Sequence, residues 1–312
     1  MEQDFFPTFF QPLPNKEIVA YRKLSNPSST HTIIFLHGQA CSSNIFEETL
    51  CYFKNQVDFS LYAVDMRGFG ESSLVTPLSS LKDLAEDVHL FIQALELKNV
   101  SIAGVSTGGA VGLTFASMYP GLLKALILLG AVGARGLMYC NEEVDSSNIK
   151  TQKLITSYEE LTKGQWAMFG DAFQKKDATI CGDFLQKVCF NVGRPCPPEK
   201  MAKFLKGSFQ QRATFFQITW FLQAFNISNE DNGVTKGTGE FSKITTPTLI
   251  IHGESDISVP LKEAQFTFQV LGEKIARMEM LPNCGHVPGY TEYEKTADLM
   301  VKFIRGGQEY DL

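Results

Sequence analysis

The sequence predicts an α/β protein: a mostly parallel central sheet with helices on both faces, interrupted by a helical insertion. Three observations predict it. Short apolar runs alternate with stretches of helical period. The alternation stops between Gly133 and Phe241, where aromatics recur at helical spacing, and then resumes. A serine flanked by glycines sits where one apolar run gives way to a small-residue helix.

The elements follow in order. Glu17 to Arg22 reads as an early strand, closed by the turn signal Ser25-Asn26-Pro27-Ser28-Ser29. Thr32 to Leu36 is a continuous apolar run of the kind buried on both faces of a parallel sheet. Asn44 to Phe53 looks helical. Leu61 to Val64 is another buried strand, ending at Asp65-Met66-Arg67-Gly68-Phe69-Gly70-Glu71-Ser72. Between Leu81 and Leu95 the apolar residues Leu81, Leu84, Val88, Phe91, Ile92 and Leu95 form one helical stripe. Asn99 to Ala103 is a strand, Ala110 to Tyr119 a helix stopped by Pro120, and Ala125 to Leu129 the next strand. In the insertion, breaks fall at Arg194-Pro195-Cys196-Pro197-Pro198 and at Asn229 to Gly239. The second is polar and glycine-rich and reads as a mobile loop. No convincing buried strand occurs there. Pro247 to Ile251 is then a strand, Leu261 to Leu271 a helix, Ile275 to Leu281 a strand and Thr291 to Phe303 a closing helix. The division expected is one α/β core, residues 1–132 and 242–312, with residues 133–241 inserted. No internal repeat is visible.

The chain has 312 residues, 44% hydrophobic and 20% charged, the balance of a soluble globular protein with a large core. A net charge of −6 gives no basic field, which argues against a nucleic-acid partner. No apolar run approaches the ~20 residues of a membrane span. Met1-Glu2-Gln3-Asp4 carries acids where a secretory signal needs Lys or Arg. Seven cysteines, with no C-x-x-C pair, read as free thiols in a reducing compartment, so the expected location is cytoplasmic. Cys41 and Cys284 adjoin motifs described below, and a small buried thiol is the default for each.

Gly104-Val105-Ser106-Thr107-Gly108 carries the chemistry. A strand-to-helix turn this tight leaves no room for side chains at 104 and 108 and lifts the Ser106 hydroxyl clear of the sheet. It aims the Thr107 N–H at whatever sits on the serine. A base is needed, and the chain has five histidines. His31 reads as a turn residue, His89 as a surface position of a helix, and His252 ends a strand. His286 lies in Pro282-Asn283-Cys284-Gly285-His286-Val287-Pro288, a loop at the same sheet edge as Ser106, and is favoured. The carboxylate that orients it is Asp256, with Glu254 as rival. A second oxyanion donor should come from the loop after Thr32–Leu36, where Gln39 is the candidate beside Thr107.

These motifs resemble the α/β-hydrolase superfamily, in particular its capped esterase, lactonase and haloperoxidase-like members. The matching residues are His37-Gly38, Asp65-x-Arg67-Gly68-x-Gly70-x-Ser72, Gly104-x-Ser106-x-Gly108-Gly109, Gly253-x-x-Asp256-x-x-Val259-Pro260 and Gly285-His286-x-Pro288. The resemblance covers about residues 30 to 305. It implies an α/β-hydrolase fold in which Asp65 and Arg67 brace the loop beneath the site. It implies that Gln39 and Thr107 form an oxyanion hole and that residues 133–241 cap the serine. Three positions depart from the family pattern: Val105 replaces a common polar residue, Cys284 a common alanine, and Thr291 a carboxylate, which is displaced to Glu292.

A serine with an oxyanion hole points to attack on a carbonyl, so a carboxylic ester or lactone is the expected substrate. Of 25 phenylalanines, many fall between positions 166 and 225. Trp166, Phe169, Trp220 and Phe221 are candidates for a substrate lining, with Phe173, Phe216 and Phe225 beside them. Packing as the insertion's own core is the other reading. Carbon–carbon bond hydrolases, thioesterases and cofactor-free perhydrolases share the triad, and some proteins of this fold are ligand receptors. No metal-ligand spacing, phosphate loop or dinucleotide fingerprint appears, so no cofactor is implied.

Overall fold

The computed structural model describes residues 6–144 and 150–306. Met1–Asp4 and residues 145–149 of the insertion lie outside the described residues. The strands are β1 (Thr8–Pro12), β2 (Ile18–Leu24), β3 (His31–Leu36), β4 (Phe59–Val64), β5 (Val100–Val105), β6 (Leu126–Leu129), β7 (Cys140–Val144), β8 (Lys150–Leu154), β9 (Thr248–Gly253) and β10 (Ala276–Leu281). Eight of them form one sheet in the order β1-β2-β4-β3-β5-β6-β9-β10. From β4 to β10 the pairing is parallel, and β1 and β2 add an antiparallel edge.

Period-two geometry explains why β3 is apolar throughout. Ile34 and Leu36 enter one core cluster, Ile33 and Phe35 the other, and all four are fully buried. The first cluster is closed by α2 (Leu81–Ala94), α3 (Thr107–Met118) and α9 (Leu261–Leu271). The second is closed by α1 (Glu47–Tyr52) and α11 (Tyr293–Gly306), the latter preceded by the single turn α10 (Pro288–Thr291). A capping box at Ser80 and Asp83 starts α2 where its apolar stripe begins.

Between β6 and β9 the chain leaves the sheet. It forms α4 (Tyr158–Lys163), α5 (Ala167–Lys175), α6 (Ala178–Cys189), α7 (Pro198–Ser208) and α8 (Phe215–Ala224). Three features differ from the sequence reading. β7 and β8 pair as an antiparallel ribbon ahead of α4. Charge hides it from pattern reading, because Lys150–Glu142 and Lys153–Glu143 ion pairs replace any apolar alternation. His31 is the first residue of β3, stacked on Phe59, and not a turn residue. The segment Asn229–Gly239 is knit together by the amides of buried Asn226 and half-buried Asn232. Asn226 Nδ2 donates to the Glu230 and Thr235 carbonyls, and Asn232 Oδ1 accepts the Val234 and Thr235 N–H groups. Among the described residues no helix is long and apolar enough to cross a membrane.

Candidate active site

Ser106 joins β5 to α3 with φ +52°, a region that side-chain-bearing residues seldom occupy. The surrounding backbone holds it there. Its N–H donates to the Leu129 carbonyl (3.2 Å), and its carbonyl accepts from Gly109 (3.0 Å) and Val132 (3.1 Å). A Cβ at Gly104 would collide with the Gly108 carbonyl, and one at Gly108 with the Leu36 carbonyl. The glycines are therefore fixed by backbone approaching backbone.

Parallel pairing brings the other two groups to the same edge. Asp256 follows β9, and His286 follows its neighbour β10. The Asp256 side chain is fully buried. Its Oδ1 accepts the N–H groups of Ser258 (2.8 Å) and Val259 (2.9 Å), and its Oδ2 accepts from His286 Nδ1 at 2.9 Å. Burial pushes this carboxyl up, but the His286 imidazole and the Val259 N–H outweigh it and hold the group below its ordinary value. With Nδ1–H committed to Asp256, His286 Nε2 is left as the basic nitrogen. Glu254 is exposed and takes no part.

Leu36 pairs with Gly104, so the loop after β3 lies beside the serine. Gly38 allows the approach, since a Cβ there would stand 3.2 Å from Ser106 Cβ. Among the described residues neither the Gln39 nor the Thr107 N–H finds a protein acceptor. Both are free to meet an oxyanion. His37 is buried and structural: its Nδ1–H donates to the Gly38 carbonyl (2.7 Å) and its Nε2 accepts from Met66 (3.1 Å). Beneath it, Asp65 accepts from the Ser43 and Glu71 N–H groups, and Arg67 forms a two-point contact with buried Asp87.

Ser106, His286 and Gln39 open into one cavity of about 130 Å³. Apart from Ser258 its remaining wall is largely apolar, with Tyr139, Trp166, Phe184, Phe215 and Leu222 prominent. Trp166 is held by an Nε1–H bond to the Cys140 carbonyl (3.1 Å).

Residues 31–293 match the family described as alpha/beta hydrolase fold. The chain belongs to this α/β-hydrolase family. The AB hydrolase superfamily protein YisY of Bacillus subtilis (strain 168) is 27% identical over 285 residues, covering 87% of this chain and 90% of that protein. Monoacylglycerol lipase ABHD6 of Homo sapiens is 26% identical over 295 residues, covering 91% and 78%. A solved esterase, EaEST from Exiguobacterium antarcticum, superposes with a TM-score of 0.72 at 19% identity, covering 96% of this chain and 100% of that one, a likeness of fold. The protein is a hydrolase.

Within this α/β hydrolase the four aromatics singled out in the sequence separate. Trp166 lines the Ser106 cavity. Phe169 stands behind it, against Trp166 and Phe184. Trp220 and Phe221 do not reach that cavity. They lie on the opposite face of α8 and line a second one. Helical period placed them on an apolar helix, but both faces of α8 are apolar, and period alone does not say which face meets the serine.

Other residues of the site escaped the sequence reading. Gln39 Nε2 donates to the Phe215 carbonyl (2.7 Å) and Thr219 Oγ1 (3.1 Å) on α8. Gln211 Oε1 accepts the Ala40 N–H (3.2 Å), and Ser208 Oγ donates to the Ala40 carbonyl. The insertion thus grips the loop that carries Gln39. Gly130, with φ +50°, passes so close to the His286 carbonyl that a Cβ would clash with it and crowd Asp256 Oδ2. Two of the family departures meet each other: Cys284 Sγ lies 3.2 Å from Thr291 Oγ1 and closes the His286 loop. His252 is buried with Nε2 3.0 Å from the Val259 carbonyl and 3.6 Å from Asp256 Oδ2. Burial lowers its pKa against the pull of Asp256, leaving it a neutral neighbour of the carboxylate.

Proposed function

We propose that the protein hydrolyses a carboxylic ester or lactone of a small apolar or aromatic molecule, with Ser106 as nucleophile, His286 as general base and Asp256 as its orienting carboxylate. The observation that carries this reading is the 2.9 Å His286–Asp256 contact at the rim of the cavity that holds Ser106. Ser106 Oγ attacks the carbonyl carbon while its proton passes to His286 Nε2. The oxyanion takes the Gln39 and Thr107 N–H groups. Collapse expels the alcohol, which leaves with the proton from His286, and an acyl-serine remains. Water then gives a proton to His286 and attacks the acyl carbon. The carboxylate departs and Ser106 recovers its hydrogen.

Residues 133–241 serve as the cap in this reading, which is supported by Trp166, Phe184 and Phe215 lining the same cavity as Ser106. The names of ester-cleaving relatives support the ester, and the apolar wall supports an apolar acyl or alkoxy group. Seven free thiols support a cytoplasmic setting. The test is a panel of acetyl, hexanoyl and aryl esters, with thioesters and lactones alongside. Higher kcat/KM on hexanoyl or aryl esters than on acetyl esters is expected. A preference for acetyl esters overturns the apolar specificity, and turnover of thioesters alone overturns the reaction class.

A further inference from the structure

A second cavity, about 380 Å³, lies on the far side of α8 from Ser106. Its volume falls in the range of roughly 300–1,000 Å³ typical of small-molecule sites. Four remote parts of the chain build it: the first turn of α2, Thr114 of α3, the outer face of α8, and the segment after it to Glu240. Buried Leu81 and Ile227 form the floor, with the half-buried rings of Trp220 and Phe221 beside them. The wall after α8 is preformed. Thr235 Oγ1 donates to the Ala224 carbonyl (3.0 Å), and Thr238 N–H to that of Asn226 (3.2 Å). Among the described residues no histidine lines this space, so the Ser106–His286 arrangement is not repeated in it.

Charge at the rim gives the ligand's chemistry. Lys82 and Lys236 are exposed there. Lys82 Nζ lies 3.2 Å from Glu240 Oε1, and the same carboxylate oxygen is shared with Lys243 at 3.7 Å. Lys236 has no carboxylate within ion-pair distance among the described residues. A chain of net charge −6 therefore presents surplus positive charge over an apolar floor. We propose that this cavity is a binding site for an amphipathic monocarboxylate, its apolar tail against Leu81, Phe221 and Ile227 and its carboxylate at Lys82 and Lys236. The site stands apart from the ester-hydrolase reading and does not depend on it.

The chain's two tryptophans make the test specific, because Trp166 lines the Ser106 cavity and Trp220 the second one. Trp166→Phe leaves Trp220 as sole reporter, and Trp220→Phe leaves Trp166. Each full-length variant is titrated with decanoate, then with 1-decanol, while emission is recorded. A saturable change is expected from Trp220. Affinity should fall roughly three- to tenfold for decanol, and as much when Lys82→Ala and Lys236→Ala are added to Trp166→Phe. Ala224→Phe, which fills the cavity, should abolish the response; the lysine variants, being at the surface, serve as the check that does not disturb folding. A saturable response of Trp166 with none from Trp220 overturns the proposal. So does the absence of any saturable response, and equal affinity for decanol and decanoate replaces the carboxylate with a neutral apolar ligand and overturns it as well.

Discussion

Two cavities share helix α8, and they differ in what their walls can do. The one at Ser106 is the smaller, about 130 Å³ against about 380 Å³. Its polar groups sit on strand ends and are locked by the backbone: a strained φ at Ser106, two N–H bonds into Asp256 Oδ1, and a glycine path at Gly130. The second has the volume but offers lysines and Glu240 at its rim and hydroxyls in its wall, with no histidine–carboxylate pair among its described lining residues. Reactivity follows from groups held rigidly at one sheet edge, and volume alone gives only room.

The comparison breaks first at the serine. Ser106→Ala should cost roughly 10⁶-fold in kcat, as loss of a triad serine does, while Phe221→Ala in the other cavity should leave ester turnover in place. Steady-state rates on a hexanoyl ester check both, and similar losses for the two would erase the distinction between the cavities.

Asp256→Asn should cost roughly 10⁴-fold by freeing the His286 tautomer. It also carries a pH signature. The folded carboxyl is held below its ordinary value, so its stabilising contribution is full above the unfolded value of ~3.9 and is lost as pH falls through the lower folded value. The stability difference between wild type and Asp256→Asn, from urea titrations, should be flat near neutrality and shrink below pH ~3.9. A difference that grows with acid would mean the carboxyl is not paired as described.

Gln211→Ala sharpens the boundary between insertion and core. It removes the acceptor of the Ala40 N–H and loosens the loop that carries Gln39. About a tenfold fall in kcat with little change in KM is expected, less than the ~10²–10³ of losing an oxyanion donor outright. A change confined to KM would make Gln211 a substrate contact instead. The smallest effect expected is at the thiols. Burial pushes Cys41 up to about 12 and Cys284 up to about 11, and Cys189, in the wall of the Ser106 cavity, well above its ordinary value. Iodoacetamide at pH 8 should leave all three unmodified, as read by peptide mass, and activity unchanged.

Much of this was legible because burial on both sheet faces writes itself into sequence. Ile33 to Leu36 and Leu249 to Ile251 are apolar without interruption since neither face meets water. The glycines at 104 and 108 were legible because backbone contact admits no substitute. What pattern could not convey was direction and long-range hydrogen bonding. Trp220 and Phe221 face away from Ser106, and because α8 is apolar on both sides its sequence does not reveal this. Asn229–Gly239 looked loose because its order comes from the amides of Asn226 and Asn232, whose partners lie several residues off. The grip of Ser208, Gln211 and Thr219 on the Gln39 loop spans more than 160 positions, a distance over which no local motif operates.

The most direct test of the Ser106 site needs no knowledge of the substrate: treat the purified protein with a fluorophosphonate and map the adduct by intact and peptide mass. One adduct per chain on Ser106, absent in Ser106→Ala and formed more slowly in His286→Ala, is the expected result. An unmodified Ser106, or a rate untouched by His286→Ala, would contradict a serine activated by His286 and favour a ligand-binding role for the fold.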